Sequence, residues 1–494
     1  MSTRVRRVAV DGWVRPEHVR RNLLGEVDHQ VWLDAGPGAI AGRSFLGAGR
    51  TRLVTASVAR GTVTERILAN GLERELECTM VEFLRADLES HEDLSDAAPY
   101  SGDGDDRATN DGTFRLGWVG WFGYELGNQT VGAPVAASDQ GIADACLVFL
   151  DRAVEFDHAA ETIWALSFES DEAWAAEVAR AVEMAQVHEI AVTAYTSDGT
   201  TALASVPALK GIRRRFGRQT YEALIARCLD EIRAGNAYQL CLTNRIDVEF
   251  ETPPNPFELY ELLRAESPTH HGGLIVSNGV SLLSSSPEVF LRVTPDGHVT
   301  TKPIKGTRPR GVDEFDDASL VEELRTNDKE RAENLMIVDL MRNDVGRIAR
   351  VGTVTVEKLL DVETYASVHQ LVSTVGGDLA ECMSVMDALE ACFPAGSMTG
   401  APKLSAMRIL NGLEAGPRGI YSGAFGYLSL DGACDLAMVI RSIVLHGSHA
   451  YIGTGGGITS GSVASEEWEE TLVKARPLLR VLGVSDDDAA FSGE

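Results

Sequence analysis

Strand-like runs in this chain come mostly in consecutive pairs, with helical stretches between the groups. Apolar and β-branched runs at residues 273–276 and 279–283, and again at 424–430 and 434–445, are each separated by only a few turn-forming residues. So short a link joins antiparallel neighbours, because a parallel pair needs a crossover of a dozen residues or more. Further strand signals fall at 31–33, 145–151, 238–243, 289–293 and 449–453. Helical periodicity is read at 172–187, 317–343, 385–392, 402–413 and 465–482. The run 219–234 places Leu224, Ile225, Cys228, Leu229 and Ile232 on one face and is closed by Gly235. The class that follows is α+β with mainly antiparallel sheets.

The chain has 494 residues, enough for two large units. A low-charge connector at 191–212 is expected to part a region 1–190 from a signal-dense region 213–484. An acidic tail follows at 485–494, and residues 97–112 read as a loop. Seven scattered cysteines without a CxxC pair suggest neither a zinc site nor a disulfide framework, and a reducing cytoplasm is the expected setting. No run of about 18 apolar residues appears, and the basic start is not followed by a secretory signal. A net charge of −28 argues against nucleic acid and anionic membranes as partners. An anionic substrate would therefore need locally concentrated positive charge or a metal.

Several residue patterns can carry chemistry. Lys305 is expected at the end of a strand over 298–304, directly before Gly306. A lysine in a partly desolvated site can act as a nucleophile, whereas most lysines are solvated surface groups. Glu330 and Glu333, and again Glu467 and Glu470, stand three apart on expected helices. Each pair shares a face, either as ordinary solvated glutamates or as ligands of a hard divalent cation such as Mg²⁺. The glycine run 453–457 follows a strand and is either an anion cradle or a tight turn. Arg441 ends an apolar run, where a guanidinium usually meets a carboxylate. Lys474 can pair with Glu470 or reach a ligand, Glu288 beside Pro287 is a plausible general acid or base, and His369 is either catalytic or structural.

Together these motifs resemble the chorismate-utilising enzymes: the anthranilate, aminodeoxychorismate, isochorismate and salicylate synthases. They are AYQLCLTNR (237–245), SSSPEVF (284–290), KPIKGTRPRG (302–311), KERAENLMIVDLMRNDVGRI (329–348), FPAGSMTGAPK (393–403), YSGAFGYL (421–428), MVIRS (438–442), GTGGGI (453–458) and EEWEETLVKAR (466–476). WLDAGPGAIAGRSFLGAG (32–49) and GWVGWFGYELG (117–127) extend the likeness more loosely into the first region. The resemblance implies the anthranilate synthase component I-like fold, two large and mainly antiparallel sheets packed together with helices outside. It implies Mg²⁺ held by Glu330, Glu333, Glu467 and Glu470. It implies a dianionic substrate held by Arg441, Lys474 and the amides of Gly455, Gly456 and Gly457, with Tyr421 lining the pocket. Glu288 matches the general acid, and His369 and Thr399 match polar groups near the reacting ring.

Two positions discriminate within the family. Gln239 stands where isochorismate and salicylate synthases carry a water-activating lysine, which points to ammonia as nucleophile. Lys305 stands where anthranilate synthases carry alanine, and it resembles the aminodeoxychorismate-forming branch. There the lysine, as the neutral amine, attacks C2 of chorismate, the C4 hydroxyl leaves, and ammonia enters at C4. Burial near cations is expected to favour that neutral amine. Anthranilate formation, with amination at C2 and loss of pyruvate, is the alternative. The product of the first route would feed 4-aminobenzoate and folate biosynthesis or a specialised metabolite. No cysteine has the glycine-flanked context of a glutaminase nucleophile, so ammonia is expected from a separate glutamine amidotransferase subunit. Trp32-Leu33-Asp34-Ala35 lacks the serine of the tryptophan-regulated LLES-like motif, so feedback by tryptophan is not expected. Ser460-Gly461-Ser462 departs from the Asp-Ser of many relatives and bears on the local loop alone.

Overall fold

The computed structural model describes residues 5–25, 27–91, 113–137, 141–168, 171, 173–195, 206–365 and 368–485. The expected loop at 97–112, positions 196–205 of the connector and the tail beyond 485 lie outside the described residues. Two twelve-stranded sheets form the frame. The path of the first runs Val5–Val10, Thr162–Phe168, Arg152–Asp157, Arg43–Ala48, Gln30–Asp34, His271–Ser277, Val280–Ser286, Ser442–His446, His449–Ile458, Gln239–Phe250, Leu209–Arg214. The path of the second runs Ile304–Pro309, Val368–Asp378, His298–Thr301, Val289–Val293, Cys434–Met438, Ala424–Ser429, Gly117–Phe122, Ala145–Leu150, Arg52–Ser57, Thr62–Ile67, Leu72–Leu76. Neighbours pair antiparallel, as the short links require. Both sheets draw strands from before and after the connector.

The sheets face each other. Leu282, Val444 and Tyr451 of the first pack in one core with Trp118, Phe425 and Leu436 of the second. The outer face of the first sheet is closed by helices: Trp174 and Val178, Leu259 and Leu263, and Leu478 and Leu479 cover Leu46, Ile246 and Ile443. This is the expected arrangement of two sheets with helices outside. Among the described residues no helix is long and apolar enough to cross a membrane.

Four local expectations are corrected. The apolar run 434–445 is two strands: Cys434–Met438 belongs to the second sheet and Ser442–His446 to the first. The joint between them ends at Arg441, whose φ of 47° is left-handed. The strand Val280–Ser286 makes the reverse crossing into Val289–Val293 through Pro287 and Glu288. The helix expected over 317–343 is two, Glu314–Thr326 and Asp328–Gly346, parted at Asn327, whose ψ of 111° is extended. The strand expected over 298–304 stops at Thr301, and Lys305 lies inside the next strand, Ile304–Pro309, not at a strand end. Finally, the glycine run does not follow a strand. It lies within His449–Ile458, with Gly455, Gly456 and Gly457 opposite Thr243, Leu242 and Cys241.

Candidate active site

A cavity of about 550 Å³ opens where the two crossings meet the strands Ile304–Pro309 and His449–Ile458 and the helices Asp328–Gly346 and Ala464–Val481. The crossings are bonded to the elements beside them: Ser285 N–H donates to the Arg441 carbonyl at 3.1 Å, and Met438 N–H to the Glu288 carbonyl at 3.0 Å. The cavity wall brings together Lys305, Gly306, Glu288, Tyr421, Arg441, Gly455, Gly456, Gly457, Lys474, Glu330, Glu333, Glu467 and Glu470. Three expected residues do not line it: Gln239, His369 and Thr399.

Lys305 owes its position to a bulge. The pairing of its strand with Val368–Asp378 slips between Ile304, opposite Val372, and Thr307, opposite Gln370. Gly306 takes a φ of 81° in that slip, and a side chain there would collide with Leu324 and crowd the Glu330 carboxyl. The Lys305 ammonium has no hydrogen bond or ion pair among the described residues, although it acts electrostatically on Glu288, Glu333 and Glu470.

Glu288 is buried and accepts a 2.9 Å hydrogen bond from the Ser397 hydroxyl. Burial pushes its carboxyl up to about 7, against the opposing pull of Ser397, Lys305 and Lys474. It can therefore hold a proton near neutrality and give it to a leaving group. Gln239 lies fully buried behind the glycine strand, and neither polar atom of its amide has a partner. A Cβ on Gly457 would come 2.8 Å from its Nε2 and 3.5 Å from Lys305 Nζ, so the glycine lets both side chains approach the strand.

The carboxylates sit on two facing helices. Asn327 accepts from the Glu330 N–H and starts the helix that carries Glu330 and Glu333. Across the gap, Glu467 accepts from Ser462 at 2.7 Å, and Glu470 pairs with Lys474 at 2.6 Å. Burial beside Glu330 and Glu467 raises the Glu333 carboxyl, although Lys305 and Lys329 oppose it. Enclosure also acts to raise Glu470, but the Lys474 ammonium prevails and holds it below its ordinary value. Lys329 Nζ lies 3.5 Å from Glu467 Oε1; its pKa is raised because Glu467, Glu333 and Glu470 outweigh its own desolvation. A lysine drawn into a set of carboxylates marks a place where positive charge is favoured. Among the described residues no three carboxylates close a cage by themselves. An open set of hard oxygen donors beside a cavity suits Mg²⁺, which uses few protein carboxylates and fills its octahedron with water and ligand oxygens.

Opposite the carboxylates the wall is formed by the glycine strand, Tyr421 and Arg441. The pairing of Ser442–His446 with His449–Ile458 ends at Ile452, so among the described residues no strand pairs with the edge of 453–458 on that side. Alternate amides there are free to face a ligand. Gly453 is obligatory, since a Cβ would fall 2.1 Å from Tyr421 Cγ. The Arg441 guanidinium lines the cavity without hydrogen bond or ion pair among the described residues, and burial lowers its pKa. Lys474 Nζ donates to the Gly455 carbonyl at 2.9 Å.

The expected polar pair His369 and Thr399 is displaced by one and two residues. His369 is buried away from the cavity, bonded to Thr364 at 2.8 Å and Asp317 at 2.9 Å, while Gln370 lines the wall with an unpartnered buried Oε1. Adjacent strand residues face opposite ways, so a one-residue error exchanges wall for core. Thr399 turns back onto the Ala395 and Gly396 carbonyls, and Ser397 is the hydroxyl that reaches the site. Lys329 was likewise not singled out from the sequence, although its neighbours Glu330 and Glu333 were.

The fold has solved counterparts. The crystal structure of anthranilate synthase component I from Streptococcus pneumoniae TIGR4 superposes with a TM-score of 0.69 and 28% identity, covering 89% of this chain and 92% of that chain. The profile of the chorismate binding enzymes matches residues 53–480, and the chain belongs to that family. Within it, the chain is 43% identical to an aminodeoxychorismate synthase of Streptomyces griseus over 96% of this chain. It spans 62% of that relative's length. It is 37% identical to anthranilate synthase component 1 of Pseudomonas aeruginosa, with 76% of each chain covered.

Proposed function

We propose that this chain converts chorismate and ammonia to 4-amino-4-deoxychorismate, the amination half of an aminodeoxychorismate synthase. The observation that carries the reading is Lys305: a lysine without an ion-pair partner in the cavity wall, close to the buried acid Glu288 and the amide of Gln239. The Streptomyces griseus relative, which bears that name, supports it.

Arg441, Lys474 and the free amides of 453–458 hold the two carboxylates of the substrate. Mg²⁺ bound by Glu330, Glu333, Glu467 and Glu470 would supply positive charge to the ring carboxylate and draw electrons from the ring. Lys305 Nζ forms a bond to C2, both double bonds of the ring diene shift by one position, and the C4–O bond breaks. Glu288 gives its proton to the departing oxygen, which leaves as water. Ammonia then bonds at C4, both double bonds return to their original places, and the C2–N bond breaks to release Lys305 as an amine. The proton shed by the new ammonium returns to Glu288. The sum is chorismate plus ammonia to aminodeoxychorismate plus water. In this reading ammonia comes from a glutamine amidotransferase subunit, and ammonium salt replaces it in vitro.

Anthranilate formation is the second reading, favoured by the Pseudomonas aeruginosa relative. Incubation of the chain with chorismate, ammonium and Mg²⁺, followed by mass spectrometry, separates the two. Aminodeoxychorismate with the enolpyruvyl group retained supports the first; pyruvate and fluorescent anthranilate overturn it.

A further inference from the structure

We propose that the buried Arg418–Glu414 pair is a positioning element for catalysis, holding Ser397 where its hydroxyl meets Glu288. The inference rests on Glu288 being the proton donor of the proposed reaction.

Arg418 is 3% exposed and reaches no ligand space of its own. Its Nη1 donates to the Met398 carbonyl at 2.6 Å and to the Ser422 hydroxyl at 3.3 Å, and its Nη2 to the Cys241 carbonyl at 2.9 Å. Each acceptor lies in the cavity wall or next to it. Met398 follows Ser397 in the short helix Gly396–Thr399, Cys241 faces Gly457, and Ser422 follows Tyr421 with a φ of 67°. Glu414 fixes the fork from behind, accepting from Nε at 2.8 Å and Nη2 at 2.7 Å, and it also takes the Thr243 N–H at 3.0 Å. Glu125 anchors the backbone through the Arg418 and Gly419 N–H groups, and the Tyr124 ring lies 4.1 Å from the guanidinium. One planar cation thus ties the turn that carries Ser397 to the strand of Cys241 and to the turn at Ser422, adding to the short ladder that pairs Gln239 and Leu240 with Ala401 and Gly400. Removing the fork leaves the fold's ladders intact but frees the turn that carries Ser397. A lysine at 418 can keep the charge pair with Glu414, but it cannot serve three fixed carbonyl and hydroxyl directions at once.

Ser397 favours the ionised form of Glu288, and the charges that bear on that carboxyl are Lys305 and Lys474. The test uses Ser397→Ala and Arg418→Lys, singly and combined, in the full chain. The first readout is the carboxyl ¹³C titration of glutamate-labelled protein, with Glu288 assigned by comparison with Glu288→Gln; the second is the alkaline limb of kcat. Ser397→Ala is expected to raise the Glu288 midpoint by about one pH unit. Arg418→Lys is expected to move it in the same direction and to lower kcat about tenfold with KM nearly unchanged. The double variant should go no further than Ser397→Ala alone. If Arg418→Lys lowers only the melting temperature, or adds fully to Ser397→Ala, the pair is structural and the inference fails. Should Arg418→Lys not fold, Glu414→Gln loosens the same fork and must shift the same midpoint. The carboxyl titration needs no turnover, so a different reaction product would overturn the proposed function without deciding this question.

Discussion

Lys329 and Glu467 face each other at 3.5 Å across the two helices that carry the four carboxylates. The ammonium occupies space that a divalent cation would contest. Lys329→Met is therefore expected to tighten Mg²⁺ binding about three- to tenfold by isothermal calorimetry and to lower the melting temperature in chelator. Equal Mg²⁺ affinity in the two proteins would show that Lys329 does not compete for the site.

Lys305→Ala removes the amine and leaves the rest of the cavity in place. Aminodeoxychorismate formation from ammonia should fall by at least about 100-fold, with any residual flux going to pyruvate and anthranilate. Quantification of products by liquid chromatography checks both arms, and full aminodeoxychorismate output would refute the covalent route.

Burial pushes the Glu288 carboxyl up to about 7. In the proposed reaction it donates its proton only below that value, so kcat should fall as pH rises through about 7. The stability sign is also determined. Between the ordinary glutamate value and about 7 the folded chain binds the extra proton, so stability decreases over that window and levels off above it. Glu288→Gln lacks this loss and should gain on the order of 3 kcal/mol relative to wild type between pH 4.5 and pH 8 in denaturant titrations, while losing activity.

Arg441 is half-buried with no ion-pair partner among the described residues, and its enclosure works against its charge. Arg441→Gln should raise KM for chorismate about 100-fold, affect kcat less, and leave the free protein at least as stable as wild type. A large drop in melting temperature without substrate would mean that the guanidinium braces the fold.

Asn327 caps the carboxylate helix. Asn327→Ala should cost about 1 kcal/mol in chemical denaturation and weaken Mg²⁺ binding through Glu330, whose N–H loses its acceptor. Unchanged stability would place the helix start elsewhere.

Much of this was legible in the residues. Short links between strand signals required antiparallel pairing, and the glutamate pairs, Arg441, Lys474 and Lys305 do line one cavity. What was not legible has physical causes. A strand that crosses between sheets is apolar on both sides of the joint, so the run 434–445 carries no mark of its break at Arg441. Pro303 could have marked the interruption before Lys305, since proline gives a ladder no donor. Asn327 with Glu330 three residues on is a helix-start pattern that overall periodicity concealed. The exchange of His369 for Gln370 follows from strand parity, which a motif match does not read.

The two sheet crossings have a mechanical consequence. Glu288 and Arg441 both ride on chain that passes from one sheet to the other. Each crossing is also hydrogen-bonded to the flank of the other, so Glu288 and Arg441 are tied to both layers and to each other. Lys305 belongs to the terminal strand of a single sheet and moves with that sheet alone. A shear between the two layers would therefore leave Glu288 and Arg441 together and change the reach of Lys305 toward them.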